Sequence, residues 1–572
     1  MKRLYFVFWI IASLFVSMPF VSQAQAKSNG APIRSVQSER TADAAQLELT
    51  GRTLQPDGLR GEYLTFTMRN PHTYPGTERM IKVYVPKEYD GKQVACTAIM
   101  MDDIMYGLAQ SIDTLIASGE MPVTIAVGVR PGRIYDNLPV SGSATAQNPS
   151  ASQTREVIRY NRSNEFDRCD GRFASFLAEE VLPAVSSFST GDGLPILLSR
   201  SADDRMVLGA SSGAIAAFTA AWFRPDLFSR VYSIIGTFVP MRGGDHYPGL
   251  IRKTEPQRLR IYLQDNDEDT WNPLFGSWYE YNLLMESALR FAGYELEHHW
   301  DKGGHNGRNG GVMMTEALRF LWKDYPSPVK KGKSGNATLN SIIDSSSTWT
   351  LVASNVPEGL FIKSAGGASY KDGAGMEATR RSVAKRRNVS NEESKLSEMQ
   401  VSESGFAMPQ LLGVGENGFD PYVAVYPGGK HRAIADVNSQ WVSNEVIAGG
   451  ASGECSVGDG VRIGGAQADA IASDGGQYRQ EFYKLHTNGG QICFDTSGYL
   501  YCATEIGVQI CDHNGRVRVI LPAPCGSAVS SVGLVGNVLY VISGGNLYAR
   551  KVQRSGFSNA LSVSAPDSDG QG

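Results

Sequence analysis

The stretch from Arg205 to Phe218 constrains the fold more than any other part of the chain. An apolar run leads into Gly209-Ala210-Ser211-Ser212-Gly213, and a run of small and apolar residues follows. A serine nucleophile has to stand clear of a sheet on a tight strand-to-helix turn, and small flanking residues leave room for that turn. The pattern predicts such a turn with Ser211 at its apex, although an ordinary strand-to-helix turn is the alternative. The amide of Ser212, at the start of the predicted helix, is expected to donate to an oxyanion.

Apolar runs alternate with amphipathic segments on both sides of this motif. Residues 94–101 and 122–129 are nearly continuous apolar runs, typical of strands buried on both faces of a parallel sheet. Residues 172–188 and 278–292 carry apolar side chains at helical spacing. The alternation predicts an α/β fold class, a doubly wound domain that we place at residues 59–326.

Polar loops follow two of the later predicted strands. The loop after the strand of residues 259–263 carries four carboxylates: Asp265, Asp267, Glu268 and Asp269. The loop after the strand of residues 297–300 carries His305 among glycines. Catalytic groups in such sheets lie at the carboxyl ends of strands, so we expect His305 and one carboxylate to meet Ser211. The spacing alone does not choose the carboxylate.

A second oxyanion donor is expected in the loop that follows the third strand of such a fold. Here that loop reads Asp102-Asp103-Ile104-Met105. A backbone donor needs no particular side chain, and we predict the amide of Asp103 for this role. A glycine at that position would ease the approach of a substrate.

Several short motifs, in order along the chain, resemble those of one enzyme family. They are Tyr74–Arg79, Asn161–Asp167, Gly209–Gly213, Arg242–Pro248 and Gly303–Gly307. From about Tyr63 to Trp322 the chain resembles esterases of the esterase-D, enterochelin-esterase and feruloyl-esterase type. The resemblance implies an α/β-hydrolase fold and a serine esterase. The Asn161–Asp167 motif is expected to shape the pocket wall, or to cap a helix entry, and has no assigned chemistry.

The resemblance also chooses among the carboxylates. In this family the acid loop precedes a Phe-Gly-Asn-Trp motif, and this chain has Phe275-Gly276-Ser277-Trp278 there. The resemblance implies Asp269 as the acid of a triad with Ser211 and His305. Asp267 is the alternative acid of the triad, because Glu268 occupies a position where the family usually has an asparagine.

The C-terminal part has a different pattern, with short apolar strands and glycine turns. Residues 327–346 are rich in Pro, Lys, Gly and Ser and are predicted to form a linker. Residues 347–556 resemble the gluconolactonase-type β-propeller, which implies an all-β domain, here incomplete or degenerate. Within it a charged insertion at 371–404 is expected to be solvated. Residues 557–572 are expected to be a disordered tail.

The propeller family binds a divalent metal through Glu, Asn and Asp side chains, whose oxygens suit such an ion. Glu358 matches the Glu, whereas Gln440 and Gly490 stand at the other two positions. One ligand cannot hold a metal. The sequence therefore predicts no metal and no cofactor, and it disfavours lactonase activity.

The first 26 residues have the pattern of a signal peptide. Lys2 and Arg3 precede an apolar run from Leu4 to Val21, and a small-x-small cleavage site ends at Ala26. A membrane anchor is the alternative, because the run is close to spanning length. We expect cleavage after Ala26, a polar extension at 27–58, and no membrane span in the mature chain. The expected location is the bacterial periplasm or the medium.

Together these features predict an exported serine carboxylesterase that acts on acyl or feruloyl esters, in particular esters linked to polysaccharide. The net charge of −4 argues against nucleic acid as a partner. Two alternatives stay open. One is an esterase that acts on a siderophore-type ester, and the other is a catalytically inactive carbohydrate-binding or scaffold protein.

Overall fold

The structure, a computed structural model, describes about two thirds of the chain in several segments. The described residues are 45–54, 61–135, 157–344, 346–357, 360–362, 399–409, 411–413, 422–424, 432–437, 440–445, 460–464, 467–471, 479–487, 489–495, 497, 499–512 and 515–556. The predicted signal peptide 1–26, most of the predicted insertion 371–404 and the predicted tail 557–572 lie outside them.

A mixed sheet organises the N-terminal region. Its strands are β1 (Gln46–Leu54), β2 (Glu62–Arg69), β3 (Glu78–Val85), β4 (Cys96–Met101), β5 (Thr124–Val129), β6 (Arg133–Tyr135), β7 (Val157–Tyr160), β8 (Arg205–Ala210), β9 (Arg230–Ile234), β10 (Arg260–Asn266) and β13 (Glu295–Asp301). Strands β11 (Trp271–Asn272) and β12 (Gly276–Ser277) form a separate hairpin. The order is β1-β2-β3-β5-β4-β8-β9-β10-β13, and β6 and β7 extend from β3. The strands from β5 to β13 in this order pair in parallel, and β1 to β3 add an antiparallel edge.

Helices connect these strands. They are α1 (Leu108–Ala117), α2 (Arg162–Phe166), α3 (Arg172–Phe176), α4 (Leu182–Ser186), α5 (Ser212–Phe223), α6 (Tyr247–Lys253), α7 (Trp278–Phe291), α8 (Arg308–Val312), α9 (Met314–Trp322) and α10 (Ala337–Ile342). A π-helical turn, Leu177–Val181, joins α3 to α4, so the two form one continuous helix where the sequence predicts it. Short 3-10 turns occur at Ala202–Asp204 and Gly244–His246.

Apolar side chains fill both faces of the sheet. On one face Phe218 of α5 clusters with Val127 of β5. On the other face Ile112 of α1 and Leu318 of α9 cluster with Leu208 of β8. Burying a side chain of this size contributes about 1.5–3 kcal/mol, so helices on both faces stabilise the sheet. The predicted α/β class is confirmed in this region, as a mixed rather than a purely parallel sheet.

The carboxyl ends of the parallel strands lie along one edge of the sheet. There β8 ends at Ala210, β10 at Asn266 and β13 at Asp301. The residues that follow these ends include the predicted nucleophile, acid and base. The topology therefore brings the three predicted groups to one edge.

Two segments that are predicted to be an extension and a linker contain regular secondary structure. Part of the predicted extension, 27–58, forms β1, which pairs with β2 along its whole length. Part of the predicted linker, 327–346, forms α10, which is capped by Asn336 and buries Leu339 and Ile342. Each segment is held by contacts outside itself: β1 pairs with β2, and Asn336 at the start of α10 donates to the carbonyls of Arg252 and Arg518.

The C-terminal region consists of short antiparallel strands. They are β14 (Thr350–Ser354), β15 (Leu360–Ile362), β16 (Gln400–Val401), β17 (Leu411–Gly413), β18 (Tyr422–Ala424), β19 (Arg432–Val437), β20 (Gln440–Glu445), β21 (Gly460–Gly464), β22 (Gln467–Ile471), β23 (Arg479–Lys484), β24 (Gly489–Phe494), β25 (Leu500–Thr504), β26 (Gly507–Cys511), β27 (Val517–Leu521), β28 (Val529–Val535), β29 (Val538–Ser543) and β30 (Asn546–Lys551). The sheets run β16-β14-β30-β29-β28, β15-β17, β20-β19-β18-β21-β22-β23 and β24-β25-β26-β27. The region is β-rich, and its closure into a propeller stays a prediction.

The α/β region and the β-rich region belong to one compact unit, Ala44–Gly572. The amide of Glu255 donates to the carbonyl of Ile520 (2.9 Å). The side chain of Asn336 donates to the carbonyls of Arg252 (3.2 Å) and Arg518 (2.9 Å). Because Glu255 lies between α6 and the start of β10, this contact is at the amino edge of the sheet. Among the described residues, no helix is both long and apolar enough to cross a membrane.

Candidate active site

Ser211 lies at the turn between β8 and α5, with φ of 58° and ψ of −122°. A conformation of this kind costs a non-glycine residue about 1–3 kcal/mol and persists where the surroundings enforce it. A Cβ atom at Gly209 would lie 2.4 Å from the carbonyl oxygen of Gly213, and one at Gly213 would lie 3.0 Å from the Cβ of Met101. The close approach of strand and helix thus explains the glycines of the motif.

His305 bridges Ser211 and Asp269. Its Nε2 lies 2.8 Å from Ser211 Oγ, and its Nδ1 lies 2.6 Å from Asp269 Oδ1. With Asp269 ionised, Nδ1 carries a proton and donates it to the carboxylate, which leaves Nε2 free to accept from the serine hydroxyl. The structure therefore brings together Ser211 and His305, which the sequence pattern predicts, and Asp269, which the family resemblance implies.

The buried carboxylate of Asp269 is kept ionised by its neighbours. Burial alone would raise the pKa of Asp269, but hydrogen bonds from His305 and Asp265, together with the His305 charge, lower it below its ordinary value. The backbone amide of Thr270 also donates to Asp269 Oδ1. An ionised acid beside Nδ1 suits the imidazolium that forms when His305 accepts a proton.

The alternative acid, Asp267, faces away from the imidazole. Its carboxylate is exposed, accepts from the amide of Gly303 (3.2 Å) and lies 3.4 Å from Lys302 Nζ. Glu268 is also exposed, and its amide donates to the carbonyl of Gly303. Asp269 is thus the acidic side chain of this loop that contacts His305.

Asp265 differs from the sequence expectation, because it is not a loop residue. Strand β10 continues to Asn266, so Asp265 is completely buried. Its Oδ1 accepts from the amide of Asn266 (2.7 Å), and its Oδ2 accepts from the side chain of Asn282 (2.7 Å). Burial, together with the hydrogen bond and the charge of Asp269, raises the pKa of Asp265 to about 9. At neutral pH a protonated carboxyl therefore stands behind Asp269.

A threonine and a tryptophan that the sequence analysis did not assign complete the surroundings of the triad. Thr237 Oγ1 lies 3.2 Å from Ser211 Oγ and accepts from Trp278 Nε1 (3.1 Å). The Trp278 ring is perpendicular to the His305 imidazole, with centroids 6.2 Å apart. Trp278 belongs to the Phe-Gly-Ser-Trp motif, which is a sequence signal for this contact, whereas nothing in the sequence around Thr237 points to it.

The two predicted oxyanion donors lie at the ends of neighbouring strands. Ser212 begins α5 after β8, and Asp103 follows β4, which pairs with β8. Within the described residues, neither amide donates a hydrogen bond to another protein group. The carboxylate of Asp103 instead pairs with Arg130 (2.6 Å). Both amides are therefore available to a ligand, and their role stays a prediction.

A buried ion pair joins two of the motifs that carry the family resemblance. Arg79 and Glu165, both with no exposed side-chain surface, pair through contacts of 2.6 and 3.0 Å. Glu165 also accepts from the side chain of Asn161 (2.6 Å) and from the amide of Gly132 (3.2 Å). The resembling motifs Tyr74–Arg79 and Asn161–Asp167 thus meet here, and the contact fixes the position of Gly132.

No group of three or more His, Cys, Asp or Glu side chains in the described part of the chain could hold a metal ion. Glu358 lies outside the described residues. Gln440 and Gly490 lie in β20 and β24. The prediction of no metal and no cofactor therefore stays a prediction.

Comparison with known proteins relates the α/β region to an esterase family. The esterase family model, described as "Putative esterase", matches residues 72–305. This match supports a hydrolase that acts on esters and an esterase-family fold, related to the α/β-hydrolases, in this part of the chain. Among curated proteins none matches the chain.

Solved structures also resemble the chain. A ferulic acid esterase is 15% identical with a TM-score of 0.34, and the match covers 46% of this chain and 98% of that one. For the enterobactin esterase of Shigella flexneri the identity is 17%, the TM-score 0.30 and the coverage 43% and 56%. For an S-formylglutathione hydrolase of Agrobacterium tumefaciens these values are 12%, 0.32, 48% and 98%. The TM-scores are below 0.5, so the assignment rests on the family match.

Proposed function

We propose that this protein is a serine carboxylesterase in which Ser211 is the nucleophile. The observation that supports this proposal is the hydrogen-bonded chain from Ser211 Oγ through His305 to Asp269, with contacts of 2.8 and 2.6 Å. It stands at the carboxyl edge of the sheet, within the residues that match an esterase family. A nucleophile, a base and an orienting acid in hydrogen-bond contact are the arrangement that acyl transfer requires.

In the proposed mechanism Ser211 Oγ attacks the ester carbonyl while His305 Nε2 takes the hydroxyl proton. Asp269 stabilises the imidazolium, and the amides of Ser212 and Asp103 donate to the oxyanion of the tetrahedral intermediate. His305 then gives its proton to the departing alcohol oxygen, which leaves an acyl-enzyme. Water, deprotonated by His305, attacks the acyl carbon, and collapse of the second intermediate releases the acid and returns the proton to Ser211 Oγ.

The proposed substrates are acyl or feruloyl esters linked to polysaccharide, and the proposed location is outside the cytoplasm. The resemblance of the α/β region to feruloyl-type esterases supports the first, and the pattern of residues 1–26 supports the second. A panel of acetylated xylan, feruloylated arabinoxylan and a siderophore-type ester tests the substrate. The N-terminal sequence of the protein recovered from the periplasm tests the export.

Ser211→Ala tests the mechanism directly. We expect this variant to lose more than about 10³-fold in kcat on 4-nitrophenyl acetate, because no other group supplies the nucleophile. A fluorophosphonate probe is expected to label the wild type and not the variant. Ser327→Ala, which changes an exposed serine at the end of the α/β region, is the matched control. Near wild-type hydrolysis by Ser211→Ala would overturn the mechanism, and an unlabelled wild type without esterase activity would indicate a binding or scaffold protein.

A further inference from the structure

A cavity of about 480 Å³ opens at the ends of β4 and β5, at the same edge of the sheet as the triad. Asp102 and Asp103 follow β4, and Arg130 to Arg133 follow β5. Strand β4 lies between β5 and β8, and Ser211 follows β8. Neighbouring strands lie about 4.8 Å apart, which places the cavity within roughly 10 Å of the nucleophile.

A second contact connects this cavity to the nucleophile. The carboxylate of Asp102 lies 3.4 Å from the point where a Cβ atom of Gly213 would stand. Gly213 is two residues beyond Ser211 on the same turn. A group bound in the cavity can therefore belong to the same molecule as an ester carbonyl at Ser211.

Three of the nine residues that line the cavity are arginines. Arg162 pairs with Asp102 through two hydrogen bonds of 3.0 and 2.9 Å, and Arg130 pairs with Asp103 (2.6 Å). Within the described residues, Arg133 pairs with no carboxylate. The described residues that line the cavity thus carry three guanidinium groups and two carboxylates, an excess of one positive charge.

The paired arginines still have hydrogen-bond donors for a ligand. A guanidinium has five N–H donors, and each ion pair with an aspartate uses two of them. The aspartates hold the two side chains in place, which lowers the entropy cost of binding. The position of Gly132 in the lining is also fixed, because its amide donates to Glu165, which is paired with Arg79.

An exposed aromatic ring lies beside Arg133. The Tyr160 side chain is 69% exposed, and the guanidinium carbon of Arg133 lies 5.5 Å from its ring centroid. The ring of an exposed tyrosine offers a flat face on which another ring can stack. The cation beside it attracts an anion. A sugar or an aromatic ring that carries an acidic group fits both features.

We propose that this cavity is a subsite for a carboxylate carried by the ester substrate. The proposal rests on the proposed esterase function and narrows its substrate class to esters that bear a negative charge near the scissile bond. A carboxylate suits the excess of positive charge among the described lining residues, and its two oxygens match the fork of a guanidinium. The carboxylate has two chemical sources: a uronic acid on the alcohol side, or a second carboxyl group on the acyl side.

Two pairs of esters separate these sources. Mono(4-nitrophenyl) glutarate and its methyl ester differ by a charge on the acyl side. Acetylated methyl glucuronoside and acetylated methyl glucoside differ by a charge on the alcohol side. In at least one pair we expect the wild type to favour the charged ester by about tenfold in kcat/KM, the amount that one charge-assisted contact of about 1.4 kcal/mol supplies.

Arg133→Gln tests the residue that carries the charge. We expect the variant to lose about tenfold in kcat/KM on the preferred charged ester, through KM, and to stay within about twofold on the neutral partner. Arg133→Lys, which keeps the charge, is expected to recover part of the loss. Arg200→Gln, which neutralises an exposed arginine before β8, is the matched control and is expected to change neither ester.

The outcomes separate this inference from the proposed function. Hydrolysis of neutral esters with no preference for charge in either pair would overturn the subsite and leave the esterase in place. An equal loss on charged and neutral esters in Arg133→Gln would also overturn it. Failure to hydrolyse all four esters, with no labelling by a fluorophosphonate, would overturn both.

Discussion

Glu255 and Arg550 form a buried, bidentate ion pair that joins the α/β region to the β-rich region. The two nitrogen–oxygen distances are 2.6 and 2.7 Å, and both side chains are almost completely buried. Lys331 also contacts Glu255, and Arg550 donates to the carbonyl of Ser347 (2.7 Å). The pair therefore fixes the β-rich region against the amino edge of the sheet, away from Ser211.

Arg550→Met is expected to destabilise the protein without changing its chemistry. The substitution leaves the buried carboxylate of Glu255 with Lys331 as its cationic partner, and breaking a pair of this kind costs about 3 kcal/mol. Urea denaturation measures the loss. Arg168→Gln, which breaks an exposed pair with Asp170, is the control and is expected to cost less than about 1 kcal/mol. Equal effects of the two substitutions would contradict a structural role for the buried pair.

The same ion pair makes the folding stability of the protein depend on pH. Burial alone would raise the pKa of Glu255, but the hydrogen bonds and charges of Arg550 and Lys331 lower it below its ordinary value of 4.5. A carboxylate with a lowered pKa contributes stability above its ordinary pKa and loses it as the pH falls through the folded value. The melting temperature of the wild type minus that of Glu255→Gln is therefore expected to decrease as the pH drops below 4.5. The exposed Glu179→Gln is the control, and a difference that does not change with pH would contradict the interpretation.

Asp265 is expected to give the opposite pH dependence. Its pKa is raised to about 9, chiefly by burial, whereas an unfolded aspartate has a pKa of about 3.9. A raised pKa contributes stability that is complete below the unfolded value and is lost as the pH rises towards the folded value. The melting temperature of Asp265→Asn relative to wild type should therefore rise between about pH 4 and pH 9, because the variant has no proton to lose.

The control for Asp265 comes from the loop that follows β10. Asp267→Asn changes an exposed aspartate two residues away, so its melting temperature relative to wild type is expected to stay level over that range. A rise of equal size in both variants would show that the effect does not come from the buried carboxyl. A level difference for Asp265→Asn would show that Asp265 is ionised in the folded protein at neutral pH.

The sequence predicts the parts of the site that depend on local patterns. Ser211 is predictable because the strand, the two glycines and the helix that create its turn are contiguous. His305 is predictable because its glycine loop directly follows a strand. Both predictions depend on a hydrophobic pattern and a short motif that lie next to each other in the sequence.

The parts of the site that depend on distant partners are not predictable in this way. Asp265 is one of four similar carboxylates in sequence, and its burial depends on Asn282, 17 positions away in α7. Glu165 depends on Arg79, 86 positions away. The choice of Asp269 came from resemblance to a family rather than from spacing. Tertiary contacts thus decide which acidic residue is buried, paired or exposed.

Asp269→Asn is expected to remove most of the activity and to leave the protein folded. An amide NH₂ group that faces Nδ1 donates where the carboxylate Oδ1 accepts, which favours the tautomer in which Nε2 carries the proton. Nε2 then cannot accept the proton of Ser211, so kcat on 4-nitrophenyl acetate should fall by about 10³–10⁴-fold. Asp267→Asn, in the same loop and without contact to His305, is expected to stay within about threefold of wild type. Near wild-type kcat in Asp269→Asn, or a larger loss in Asp267→Asn, would assign the acid to another residue of the loop.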